Sequence, residues 1–478
     1  MTQRSCALSA CRLFAIAASA AVGLSHWSTL HADTKYNWQV AANGYWSDDV
    51  TLQGAGNARS SLAFEVAPRF HLQQESDLLR SRLDYGLSYI TYTEKLGQQQ
   101  AFHDLDAAAE LSVIPQWIYL PASVKYSQAL IDPTGPGSYG GGLLGAGNLS
   151  DVASYRVSPR IDHKTNWGGF SAEYTYGEVN FSDAALASAV DTGVVGIVSL
   201  GDPESSLAGR LAYVAQETEY EIGRKFRFDS ALAEAGYRVI RDLRLIGQIG
   251  LESDIETTVS GGGLDRNFWR GGFEWQATRN DRFSLLVGRR FFGTTYEGSW
   301  LRQMRYLELK LDYREDPTTQ SRQFSLRPFE FGVAEGRNAG VPGSQGFGRL
   351  SSDAFLSKRL DGNAVLTGRL TTLALRLSSE RREYFIAPSE DVVSELSISV
   401  ERRLGPSLSI GLGLDRQNTN LREGRSYSES RFSVRASRQF GRALSATAEA
   451  SRVNRTGDLR DYDVTWFRVG ILKKFGEE

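Results

Sequence analysis

The sequence predicts an all-β protein, a large single-chain antiparallel transmembrane β-barrel, on three observations. Apolar and polar residues alternate along most of the chain, connections alternate between short and long, and no long apolar run follows the N-terminal segment. Aromatic residues make up 11% of the chain and glycines number 48, yet mean hydropathy is only -0.32. A helical membrane protein needs stretches of about 20 apolar residues. A barrel puts half of each strand on lipid and half on a polar lumen, which produces this mixture.

At the N-terminus Arg4 and Arg12 flank an apolar run over 13–24, and a polar stretch then ends in Leu30-His31-Ala32. This layout predicts a secretory signal peptide over 1–32, cleaved before Asp33, and a barrel over 33–478. The apolar run is too short to span a bilayer as a helix. Leu8-Ser9-Ala10-Cys11 resembles a lipoprotein box, but its apolar run follows Cys11 instead of preceding it, so no lipid anchor is expected. Both cysteines, Cys6 and Cys11, fall in the leader, which leaves the exported chain without disulfides, Cys-bound zinc or a cysteine nucleophile. His71, His103 and His163 lie on separate predicted strands without ligand spacing and read as polar wall residues, so no metal and no cofactor is expected. Beyond residue 32, 52 basic residues stand against 56 acidic ones, a formal charge of -4 that gives no hint of nucleic acid.

The strands announce themselves by a period of two. Leu62, Phe64, Val66, Pro68, Phe70 and Leu72 alternate with Ala63, Glu65, Ala67, Arg69 and His71. The same pattern runs through Leu83–Tyr89, Trp269–Trp275, Leu307–Tyr313 and Leu408–Leu414. Short turns are predicted at Arg279-Asn280-Asp281, Asp361-Gly362-Asn363, Gly405-Pro406 and Gly441-Arg442. Longer polar loops are predicted over 253–266, 293–303, 380–391, 417–429 and 454–461. Tight periplasmic turns and longer extracellular loops give that alternation. The tally is about 22 strands, within a range of 18 to 22, provided that 192–200 is a strand. The segment 320–331 is a weak strand, since Pro328 removes a ladder donor. No plug-like globular domain precedes the first strand, which argues against a TonB-type transporter. The Gly-rich stretches 131–150 and 332–348 lack the P-loop pattern and are expected to be surface loops.

The opening YNWQVAANGYWSDDVTL, then ARSSLAFEVAPRF, and later DAFLSKRLDGNAVLTGRLTTLALRLSSERREYF and SISVERRLGPSLSIGLGL together resemble the outer-membrane barrel family associated with exosortase and PEP-CTERM systems. That resemblance implies a part in a system linked to exopolysaccharide and cell-surface protein sorting. It supplies no catalytic residues. The sorting signal itself is absent, so the chain would be a companion of such a system and not its substrate. Near the C-terminus Phe467, Val469, Ile471 and Phe475 alternate like an insertion signal, with Lys473 breaking the row and three residues following Phe475.

Arginines number 45 against 9 lysines. By alternation Arg69, Arg160, Arg244, Arg270, Arg431 and Arg435 should face the lumen as candidate anion contacts, because guanidinium groups grip carboxylates and phosphates bidentately. The competing expectation is that they brace the wall by pairing with Glu65, Asp162, Glu252, Glu274 and Glu401, or bind lipopolysaccharide phosphates. Three functions follow: a passive pore or docking sleeve for an anionic surface polymer, a scaffold without pore activity, or a hydrolase. No nucleophile motif supports the hydrolase, and Asp48-Asp49 reads as an extracellular turn. Expected partners are outer-membrane lipid and lipopolysaccharide, the barrel-assembly machinery during insertion, and an anionic exopolysaccharide or export components.

Overall fold

The computed structural model describes residues 33–476, apart from 53–56, 94–99, 131–148, 184–185, 203–204, 326–350, 387–388, 422–423 and 459–460. The expected leader, the 332–348 stretch and most of 131–150 lie outside the described residues. Every neighbouring pair of strands is antiparallel, from β1 (Asp33–Ser47) and β2 (Ser61–Glu75) round to β22 (Leu444–Gly457) and β23 (Tyr462–Phe475). Pairing of β1 with β23, from Trp38 opposite Phe475 to Ser47 opposite Trp466, closes the wall. The 23 segments make 22 wall strands, because β6 (Leu149–Val157) and β7 (Arg160–Thr165) are one strand interrupted at Pro159. Proline has no N–H to give the ladder, and the break falls there. The strand expected over 192–200 is present as β9 (Ala189–Leu200).

Alternation sorts the side chains as expected. On β2, Leu62, Phe64 and Val66 point outward while Ala63, Glu65 and Ala67 are buried inward. Ile249 on β12 (Leu243–Glu252) and Val469 on β23 are 66% and 63% exposed on the outer face. For a soluble protein such a continuous apolar exterior would be a liability, whereas hydrocarbon solvates it. Outward aromatics collect at the turn end: Trp38 against Phe70, Trp117 stacked on His163, and the row Trp275, Phe283, Trp300. A second set, including Trp46 with Phe467 and Trp269, lies towards the other end. Two aromatic girdles bounding an apolar band mark the two membrane interfaces. Both described ends of the wall and most of the tight turns share one end, and the other carries the long connections together with the two-residue turn at Phe291-Phe292.

Several connections differ from expectation. Asp361-Gly362-Asn363 is not a turn but the middle of β17 (Ala354–Thr367), and the chain reverses instead over 368–370 before β18 (Thr371–Tyr384). Turn-forming composition and the in-out-in demand of a barrel coincide here. Asp361 and Asn363 take the lumenal phase, and Gly362 the outer phase between Leu311 and Leu377. The loop expected over 293–303 is strand β15 (Gly293–Gln303), its outward Tyr296 and Trp300 separated by inward Glu297 and Ser299. The loops over 380–391, 417–429 and 454–461 shrink to 385–389, 422–424 and 458–461. A strand needs only about 9–11 residues to cross a membrane, whereas β18 and β20 (Leu408–Leu421) each have 14. The surplus projects beyond the lipid, where outward positions such as Asn418 and Asn420 are polar although the ladder persists. Of the weak strand expected over 320–331, Gln320–Ser325 is instead a short helix, and 326–331 lie outside the described residues.

Candidate functional site

Two short helices interrupt the wall. α1 (Ile255–Ser260) packs beside β11 (Lys225–Ile240) at the rim. α2 (Gln320–Ser325) follows β16 (Leu307–Thr319), turns inward and bridges the lumen near the long-connection end. One side of the bridge meets β9 and β10 (Leu207–Tyr220). Ser321 Oγ donates to Asp191 Oδ2 at 2.6 Å, and Thr218 Oγ1 donates to Asp191 Oδ1 at 2.5 Å and lies 3.1 Å from Thr319 Oγ1. Arg322 donates to Gln216 and lies over the Phe228 ring, 5.3 Å from its centroid. The other side meets β18. Gln323 Nε2 donates to Glu380 Oε1 at 3.1 Å and Gln323 Oε1 accepts from Arg382 at 3.1 Å, while Arg382 also pairs with Glu380 at 3.1 Å.

The bridge is largely buried and tied to both walls. Asp191, Ser321 and Arg382 are almost completely buried, and Ala189, Tyr220, Phe226, Phe228 and Ala354 form an apolar cluster beside them. A carboxylate removed from water without partners costs several kcal/mol, so the two hydroxyl donors on Asp191 hold both the charge and the helix. Burial pushes the Arg322 guanidinium down to about 10, against the opposing pull of Asp191 and Asp316. A second inward fold follows β1. Val50 and Leu52 bury against Tyr45, Ala63, Ile90, Val453 and Val464, and Asp48, in the expected turn, accepts from the Thr465 N–H at 2.8 Å.

All six arginines expected in the lumen take the inward phase, and five are ion-paired. Arg160 meets Glu110 at 3.3 Å, Arg244 meets Glu274 at 3.8 Å and Arg270 meets Glu297 at 2.8 Å. Arg431 and Arg435 share Glu449, at 3.2 and 3.0 Å. Arg69 lies opposite Gly86, whose missing side chain leaves it room, and its charge acts on Asp104 one strand further. The expected acids were mostly the wrong ones. Glu274 alone of that set pairs with one of these arginines; Glu252 binds Arg290 at 2.9 Å, and Glu65 accepts from Asn43 and Tyr45.

The residues that sequence reasoning missed are Asp191, Ser321, Gln323, Glu380, Arg382 and Glu449. One signal for some was available, since charges two apart share a strand face. Arg82–Asp84 at 2.9 Å, Arg359–Asp361 at 2.6 Å and Glu380–Arg382 at 3.1 Å all use it. The histidines do not converge. His71 bonds Asp84 at 2.6 Å, His103 bonds Tyr85 at 2.9 Å, and no metal-binding cluster occurs among the described residues.

Fold and surface thus define a 22-strand antiparallel transmembrane β-barrel. No family model matches the chain, and no curated protein matches it. Solved structures share the architecture. The ferric enterobactin receptor from Pseudomonas aeruginosa, in complex with enterobactin, is 11% identical with a TM-score of 0.53, the likeness covering 93% of this chain and 82% of that one. The FrpB iron transporter from Neisseria meningitidis is 9% identical with a TM-score of 0.50, covering 92% of this chain and 82% of that one. At such identities the likeness is one of fold.

Proposed function

We propose that this chain is an outer-membrane protein acting as a passive conduit for polar solutes, narrowed towards the cell exterior by α2. The observation that carries this is the bridge itself: a polar helix drawn into the lumen and hydrogen-bonded to walls nine strands apart in sequence, β9 and β18. A lumen of interleaved arginines and carboxylates around it is suited to hydrophilic cargo. In this reading the conduit serves an anionic surface polymer within a system of the exosortase and PEP-CTERM kind, as the sequence resemblance implies.

The paired arginines favour a second reading, a scaffold whose lumenal charges serve the wall alone. Liposome swelling separates the two. Vesicles containing folded protein are expected to swell in isotonic neutral and acidic sugars. Vesicles that stay impermeable while the protein remains folded would leave the scaffold.

A further inference from the structure

Beside α2 the lumenal wall forms a half-open cavity of about 420 Å³. Among its lining groups, Arg314 and Arg359 stand directly opposite each other on β16 and β17. Like charges in register repel and destabilise a sheet. Arg359 is compensated by a two-point contact with Asp361, at 2.6 and 2.9 Å. The cavity's acids are engaged elsewhere: Glu252 with Arg290 at 2.9 Å and the Phe291 N–H at 2.8 Å, Asp316 with Arg290 at 3.7 Å, and Asp229 with Arg227 at 3.0 Å. Arg314 is exposed to the lumen and has no acid at ion-pair distance among the described residues.

We infer that this cavity binds a carboxylated sugar unit, its carboxylate on Arg314. A planar guanidinium offers two parallel N–H donors matched to a carboxylate, and an anion placed there relieves the repulsion from Arg359. Ser230 and Thr318, which also line the cavity, supply hydroxyl partners for ring hydroxyls. The volume lies in the range of small-molecule sites. The inference goes beyond the conduit, since a pocket can hold a solute whether or not the lumen conducts.

Calorimetric titration of the folded, detergent-solubilised barrel with glucuronate and with glucose tests it. Wild type is expected to bind glucuronate at least tenfold tighter than glucose. Arg314→Gln should remove that preference, with the folded band on unheated gels retained, and Arg314→Lys should keep only part of it. Equal affinity for the two sugars, or no saturable binding by wild type, overturns the inference without recourse to any variant. An Arg314→Gln protein that keeps the preference overturns the assignment to Arg314. Liposomes from the same preparation that swell without glucuronate binding would remove the pocket and leave the conduit standing.

Discussion

Ser321 donates its hydroxyl proton to the Asp191 carboxylate across 2.6 Å, although 130 positions separate them in the chain. This contact turns a connection between two wall strands into a bridge across the lumen. Asp191 accepts from Thr218 as well, so removing the carboxylate strands two hydroxyls in a buried place. Asp191→Ala is expected to destabilise the barrel by about 1–3 kcal/mol. Asp191→Asn, which keeps an acceptor oxygen, should lose less. Urea unfolding in lipid vesicles reads both.

Glu449 holds Arg431 and Arg435 together while only 5% exposed itself. Arg431→Ala/Arg435→Ala should therefore lower stability markedly, because it leaves Glu449 buried without either partner. Glu449→Ala alone is expected to cost about 1–3 kcal/mol. Combining Glu449→Ala with Arg435→Ala should cost less than the two effects added, which a double-mutant cycle in the same unfolding assay reads. A large loss of anion preference at unchanged stability would contradict the bracing.

On the outer face, Ile249 sits in the apolar band. Ile249 stands opposite Trp269 of the second aromatic girdle, so Ile249→Arg should destabilise the inserted barrel by about 1 kcal/mol, the cost of a charge near the interface and not at the midplane. The same change in detergent micelles should cost less, since a micelle deforms around a charge more readily. Equal costs in the two media would argue against a lipid-facing position.

The two ends of the wall should be distinguishable on living cells. Asn418 lies on the exposed upper part of β20, and Gly441 in the tight turn after β21 (Arg425–Phe440). Asn418→Cys is expected to react with an impermeant thiol reagent on intact cells, and Gly441→Cys only after permeabilisation. The opposite pattern would invert the barrel.

Much of the wall was legible because a lipid-facing strand must repeat every two residues, as Leu62, Phe64 and Val66 do. Even the marginal β9 could be inferred, since an odd strand would have left the ends on opposite sides. Legibility failed where outward positions become polar. Around Asn418 and across Gly293–Gln303 the ladder continues with little hydrophobic signal. Asp361-Gly362-Asn363 misled because turn composition also fits a strand that alternates lumen, lipid, lumen. α2 was unreadable for a different reason. Its six residues are too few for a 3.6-residue pattern, and its fastening to Asp191 and Glu380 is entirely long-range. The inward phase of the six arginines followed from alternation, but their partners did not, because Glu110, Glu297 and Glu449 are fixed by strand register.

The most direct test of the central claim, that α2 narrows a conducting lumen, is single-channel conductance in planar bilayers. Wild type should conduct, and Ser321→Ala/Arg322→Ala/Gln323→Ala, which removes the helix's side-chain ties to β9, β10 and β18, should conduct more, with noisier open levels as the segment swings free. Identical conductance in a released variant that remains folded, or no conductance in either protein, would contradict the account.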